Sequence, residues 1–160
     1  MFGNMKMRDF LRENIIGYCP QFDAVDEYLT GKEALHVYSK IIGLNNADQA
    51  ILSAIQRFKM QSFVDVPIIK YSGGMKRTLS VAVAMLGDPQ IVLLDEPTNG
   101  MDPEMRRRVW DNILKIIRED RSVLLTSHSM AECDALCTRL AIMVNGQFMC
   151  LGTTQHLKHR

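Results

Sequence analysis

Two short apolar runs, Gln90-Ile91-Val92-Leu93-Leu94 and Ser122-Val123-Leu124-Leu125-Thr126, constrain the fold of this chain more than any other feature. Both are continuous and rich in branched side chains rather than alternating, which predicts strands covered on both faces in a parallel sheet. Between them lies one helix. Asp102 is suited to cap it, Pro103 to its first position and Glu104 to its first turn. Val109, Ile113 and Ile116, with Trp110, Leu114 and Ile117, make a broad stripe for a sheet to bury. Strand, helix, strand in that order predicts a right-handed crossover. A further strand, Leu140 to Val144, turns at Asn145-Gly146 into Gln147 to Leu151 and reads as a hairpin.

Upstream, from about residue 26 to 86, the pattern is helical. Leu35, Val37, Ile41 and Ile42, then Ile51, Ala54, Ile55 and Phe58, recur near helical periods. With no repeat, linker or charge block, no interior domain boundary is expected. The 160 residues are 47% hydrophobic, enough to bury one core. Lys plus Arg number 19 against 18 Asp plus Glu, so no broad positive field exists to grip nucleic acid. No apolar run approaches the roughly 18 to 20 residues of a membrane-spanning helix, and Met1 to Lys6 lacks a signal-peptide core.

The four cysteines, Cys19, Cys133, Cys137 and Cys150, fit a reducing compartment. Cys133, Cys137 and His128 lack an evident fourth metal ligand, so ordinary buried thiols are expected. The 11 methionines are scattered as core fillers would be. His36, His156 and His159 read as surface residues, and Arg106-Arg107-Arg108 as a solvated helix face.

The chemistry collects at strand ends. Open parallel sheets bind ligands outside the carboxyl ends of their strands, where this chain places Asp95-Glu96 and Ser127-His128. Adjacent carboxylates after a buried strand are costly to desolvate unless they meet a cation, a polar ligand or solvent. One suits magnesium and the other a general base; a solvated strand end before Pro97 is the plain alternative. Tyr71-Ser72-Gly73-Gly74-Met75-Lys76-Arg77 precedes an apolar helix. Its unpaired N–H groups make an anion site, or simply a helix start capped by Ser72.

Taken in order, these segments resemble the ABC (ATP-binding cassette) nucleotide-binding domain. The segments are Ser72-Gly73-Gly74 with the basic residues after it, Ile91 to Thr98, Gly100 to Pro103, and Ser127-His128. Gly17-Tyr18-Cys19-Pro20-Gln21-Phe22-Asp23 looks like the segment holding the Q-loop glutamine. The wording Tyr-Cys-Pro-Gln-Phe-Asp, Tyr-Ser-Gly-Gly, Thr-Ser-His-Ser-Met and Cys133 to Arg139 is similar to the A subfamily of eukaryotic lipid transporters. The resemblance runs from residue 14 to the end. It implies an α/β fold of the P-loop NTPase type. A helical subdomain at about 22–86 would precede a mostly parallel sheet flanked by helices at 87–160.

The resemblance also implies roles. Asp95 would hold Mg2+ through its water shell, and Glu96 would orient the water that attacks the terminal phosphate of ATP. His128 would contact that phosphate. Gln21 would touch the metal or the water and relay nucleotide state to transmembrane domains. Ser72, Gly73 and Gly74 would clasp ATP held by a second cassette, and Asp102 would lie in a loop crossing that interface. Lipid would be met only indirectly, at the cytoplasmic face of a membrane, and nucleic acid not at all.

Two residues depart from the family wording: Met75 stands where an amide is usual, and Tyr71 where many members have Leu. Larger is an absence. No Gly-x-x-x-x-Gly-Lys-Ser/Thr phosphate loop occurs; the only Gly-Lys pair, Gly31-Lys32, is followed by Glu33, with Asp26 where the first glycine should fall. Only 20 residues precede Gln21, too few for that loop. The chain is expected to match the C-terminal part of a cassette and to bind ATP weakly without turning it over. Three functions follow: a transport ATPase module of a longer polypeptide, a docking module without turnover, or a chromosome-type ATPase. The last inserts a long coiled coil where only 50 residues separate Gln21 from Ser72.

Overall fold

The computed structural model describes residues 15–22, 24–119 and 121–155. Asp23, His156, His159, the terminal Lys158-His159-Arg160 and the first 14 residues lie outside that set. Although no linker marks the sequence, the chain forms two compact units, the first ending at Thr126 and the second beginning at Ser127.

In the first unit, β1 (Ile16–Cys19), β2 (Ile91–Asp95) and β3 (Ser122–Thr126) form one sheet in that order. All pairs are parallel, with Ile16 opposite Ile91, Cys19 opposite Leu94, and Asp95 opposite Thr126. Strand β1 was not expected from the sequence. Its four residues are too short to show a pattern, and Gly17 disguises them. Gly17 is needed there, because an added Cβ would lie 1.8 Å from the Ala84 carbonyl oxygen. The central strand behaves as expected, with Val92 and Leu94 buried.

Strand β3 corrects the expectation of cover on both faces. It is the outer strand of the three, and Ser122, Leu124 and Thr126 are exposed while Val123 and Leu125 are half-buried. Leu124 is 69% exposed. A continuous apolar run reports that a strand suits burial on both faces, not that neighbours supply it.

Helix α1 (Gly31–Ile42) starts with a capping box: Thr30 Oγ1 accepts from the Glu33 N–H at 3.2 Å, and the Thr30 N–H donates to Glu33 Oε2 at 2.8 Å. Gly43 ends it in the left-handed region, φ 78°. Its buried stripe is Gly31, Ala34, Leu35 and Ser39, whereas Val37 and Ile41 are exposed, so the face expected from Leu35, Val37 and Ile41 is wrong in part. Residues two apart do not share a helix face. Helix α2 (Ala47–Arg57) buries Ile51, Ala54 and Ile55, with Phe58 just beyond, as expected. His36 is half-buried, its Nδ1 4.0 Å from Asp48.

Helix α3 (Gly73–Ala84) is buried along most of its length. Its hydroxyls are satisfied internally, Thr78 donating to the Gly74 carbonyl at 2.8 Å and Ser80 to the Lys76 carbonyl at 3.1 Å. The turn before it explains Tyr71. The ring is buried, meets Phe63 edge-on at 5.1 Å, and its hydroxyl donates to the Phe63 carbonyl at 2.7 Å. A Cβ on Gly31 would lie 2.4 Å from that hydroxyl oxygen, so Gly31 is small to seat Tyr71 rather than to cradle a phosphate. Tyr71→Phe is expected to cost about 0.5–1.5 kcal/mol, because it removes one hydrogen bond from the Phe63 carbonyl, which keeps the Val66 N–H, and leaves the ring in place. An unchanged urea midpoint would refute this.

Helix α4 (Pro103–Arg118) crosses from β2 to β3. Asp102 Oδ1 accepts from the Glu104 and Met105 N–H groups at 2.9 and 3.0 Å, as a cap should. Val109, Ile113 and Ile116 are fully buried, while Trp110, Leu114 and Ile117 are half-buried. In the basic run, Arg107 is exposed, but Arg106 and Arg108 are half-buried, and Arg108 pairs with Glu104 one turn back.

Asp88, at φ 55°, pairs with Arg57 at 2.8 Å and Arg121 at 3.0 Å. Partial burial alone would push its carboxyl up, but the Arg57 and Arg121 hydrogen bonds and charges outweigh that and hold it below its ordinary value. A carboxyl depressed on folding stabilises above its unfolded value and loses that contribution as pH falls through the folded one. Asp88→Asn keeps the turn, since Asn tolerates positive φ. The gap in Tm between the two proteins should therefore stay constant above about pH 5 and shrink below about pH 4. A gap independent of pH would contradict this.

In the second unit, helix α5 (Met130–Leu136) is capped by Ser129 and buries Glu132 and Leu136. Strands β4 (Leu140–Val144) and β5 (Gln147–Gly152) pair antiparallel with an irregularity at Ile142/Met143. Asn145 and Gly146, at φ 49° and 75°, make the expected tight turn. The four cysteines are all free. Burial pushes up the thiols of Cys133 and of Cys137, the latter to about 11, so neither is a ready thiolate.

Candidate functional site

Asp95 and Glu96 sit at the carboxyl end of the central strand, where the sequence placed them. Thr126, at the matching end of β3, organises both: its hydroxyl donates to Asp95 Oδ1 at 2.5 Å and accepts from the Glu96 N–H at 3.1 Å. The same N–H also meets the Thr126 carbonyl at 3.2 Å. These contacts hold Glu96 at φ 50°, a conformation that costs a non-glycine residue about 1–3 kcal/mol. Such strain at a carboxylate persists only where neighbours over-determine it.

Arg77 is the second residue that sequence reasoning missed. It is buried, and its guanidinium donates to the carbonyls of Pro20, Gln21 (3.4 Å), Asp95 and Glu96 (3.2 Å). One side chain thus joins the Gln21 segment, the Asp95–Glu96 turn and α3. Gln21 itself is exposed beside this joint. Lys76, its neighbour on α3, pairs with Glu27.

At the start of α3, Ser72 is the cap, its Oγ accepting from the Met75 N–H at 3.2 Å. Ser72 and Gly73 are exposed, and nothing lies within 4 Å of a Cβ built on Gly73. A helix start of this kind, open and flanked by Lys76, suits an anion. Gly74 differs. It is buried, and an added Cβ would lie 3.1 Å from Met105 Sδ, so its smallness serves packing against α4. Asp102 is exposed, with its carboxylate committed to capping α4. His128 is exposed and belongs to the second unit, two residues past β3.

The Asp95 carboxylate, one oxygen of which accepts from Thr126, is the donor type magnesium takes, since that ion needs only one or two carboxylates and keeps waters. Among the described residues no group of three His, Cys, Asp or Glu side chains is gathered for a softer ion.

A parallel sheet flanked by helices, with paired carboxylates at the end of its central strand, is the fold shared with solved ATP-binding subunits of ABC transporters. The family model described as "AAA domain, putative AbiEii toxin, Type IV TA system" matches residues 6–134. The rat ATP-binding cassette sub-family A member 7 is 56% identical over 147 residues, 91% of this chain and 7% of that protein. The bovine retinal-specific phospholipid-transporting ATPase ABCA4 is 54% identical over 91% of this chain and 6% of its own length. The chain therefore spans less than a tenth of the curated relatives it matches. The fold superimposes, with a TM-score of 0.81 at 16% identity, on a dimeric ATP-binding cassette, MJ0796, in a post-hydrolysis state bound to ADP and Pi. That match covers 94% of this chain and 68% of the other. The chain belongs to the AAA-domain family and, within it, is an ABC transporter nucleotide-binding domain most like the A subfamily.

Proposed function

We propose that these residues form the part of an ATP-hydrolysing module that carries the hydrolytic carboxylates and the clasp for a second cassette's nucleotide, working within a lipid transporter. The observation that carries this reading is the Asp95–Glu96 turn, held by Thr126 and Arg77 in a strained conformation at the end of the central parallel strand. Asp95 would hold magnesium through water, with Gln21 touching the metal or the attacking water. When bound, that ion supplies charge stabilisation at the phosphoryl oxygens. Glu96 would orient and deprotonate the attacking water. Ser72 and Gly73, with open N–H groups at a helix start, would meet ATP on a facing cassette across an interface that includes Asp102.

The phospholipid-transporting relative supports lipid as the cargo and a membrane as the setting. No helix among the described residues is long and apolar enough to cross a bilayer, so contact with lipid would run through transmembrane partners. An apolar cleft lined by Tyr18, Pro20, Ala24, Tyr38 and Val83 lies beside Gln21 and supports such a partner there.

The 160 residues contain no Gly-x-x-x-x-Gly-Lys-Ser/Thr run, and a second reading is a docking module that completes another cassette's site without turnover of its own. Titration with a fluorescent ATP analogue and magnesium tests what the chain binds by itself. The purified chain alone should bind more weakly than about 1 mM and release no phosphate. Added to a cassette that has its phosphate loop, it should form an ATP-dependent complex. Tight binding or steady phosphate release by the chain alone would overturn this expectation.

A further inference from the structure

Arg77 is 4% exposed and carries a permanent charge, yet among the described residues its hydrogen-bond partners are all backbone carbonyls. Two come from the segment after β1, one from the last residue of β2 and one from the turn after it. Burying a guanidinium without a carboxylate is costly unless its N–H groups are matched, and four carbonyl oxygens match them. The planar fork also fixes spacing: carbonyls on different N–H groups cannot drift apart without breaking a charge-assisted bond. Lysine, a point charge on a flexible stem, would hold one or two of them at no set distance.

We propose that Arg77 is a positioning residue that holds Gln21 at a set distance from Asp95 and Glu96 and ties all three to the helix bearing Ser72 and Gly73. This rests on the ATPase reading above and deepens it. In a two-cassette sandwich the nucleotide clasped by Ser72 and Gly73 is not the one that Asp95 and Glu96 serve. Arg77, five positions along α3 from Ser72, therefore links occupancy of one ATP site to the geometry of the hydrolytic residues at the other. The link is physical and local: a helix start, one guanidinium, and two backbone turns that move together.

Hydrogen–deuterium exchange on the 160-residue chain tests this without nucleotide, so its failure is distinct from failure of the ATPase reading, which nucleotide binding reports. In Arg77→Lys, exchange should rise about tenfold in both 17–22 and 95–99, while α2 and α4 stay within about twofold of the parent. A uniform rise across the chain would reduce Arg77 to a general stabiliser and overturn the proposal, as would a rise in one segment only or in neither. Thr126→Val gives a second test with Arg77 intact, needed if the lysine variant does not fold. It removes both hydroxyl bonds to the Asp95–Glu96 turn while the backbone pairing to β3 remains, and the linkage requires any rise at 95–99 to be matched in 17–22. Confinement of the rise to 95–99 would overturn the linkage.

Discussion

Glu96→Gln is expected to lower phosphate release by about two to four orders of magnitude in a polypeptide that pairs two complete cassettes, with ATP still holding the pair together. The backbone of Glu96 is fixed by Thr126 and Arg77, and none of those bonds uses the side-chain carboxylate. Glutamine has the same size and backbone needs, so the strained turn survives. What disappears is the negative charge that, on the proposed reading, would orient and deprotonate water, an interaction worth most in the transition state. Such a loss lowers kcat and leaves KM nearly unchanged. Phosphate release and size-exclusion chromatography in Mg-ATP are the two measurements. A variant that turns over within about threefold of the parent would remove Glu96 from the chemistry.

Gly17→Ala is expected to be the most damaging single-methyl change in the first unit. The added carbon would sit 1.8 Å from the Ala84 carbonyl oxygen and 2.9 Å from both the Ala84 carbonyl carbon and Pro89 Cγ. Two of those three atoms are backbone at the end of a buried helix, so no side-chain rotation relieves the overlap. Either β1 leaves β2 or the end of α3 shifts. A cost of about 3 kcal/mol, the upper range for overpacking, is expected, read as a lowered Tm. Because β1 leads directly to Pro20 and Gln21, the same change should loosen the Arg77 joint. Gly73→Ala is the control, since nothing lies within 4 Å of its Cβ, and its stability should move by less than about 0.5 kcal/mol. Equal effects at the two glycines would refute the packing argument.

Much of the fold was legible because its signals are local. Strands β2 and β3 announce themselves as apolar runs, and α4 by Asp102-Pro103-Glu104 and a stripe three and four residues apart. The hairpin is marked by Asn145-Gly146. Each depends on neighbours in the chain, so a window of ten residues contains the cause. The candidate site was legible in its motif residues Asp95, Glu96, Gln21 and Ser72, since their types and order carry the chemistry. Gly74 shows the limit: its place in the motif resembles a phosphate contact, and only the folded chain shows Met105 Sδ 3.1 Å from a Cβ built there.

Amino-acid order alone settled β2, β3, α4 with its Asp102 cap and the β4–β5 hairpin, and which family the motifs resemble, whereas β1 stayed hidden in it. Only the folded chain decided that Gly17 must be bare beside Ala84, that Gly31 yields to Tyr71, and that β3 keeps one face open. It also decided that Arg77 reaches back 56 and 57 positions to Gln21 and Pro20. Those facts depend on which distant surfaces meet. A carbonyl offers the same acceptor whatever its side chain, so nothing in residue type reveals that four of them will converge on one guanidinium.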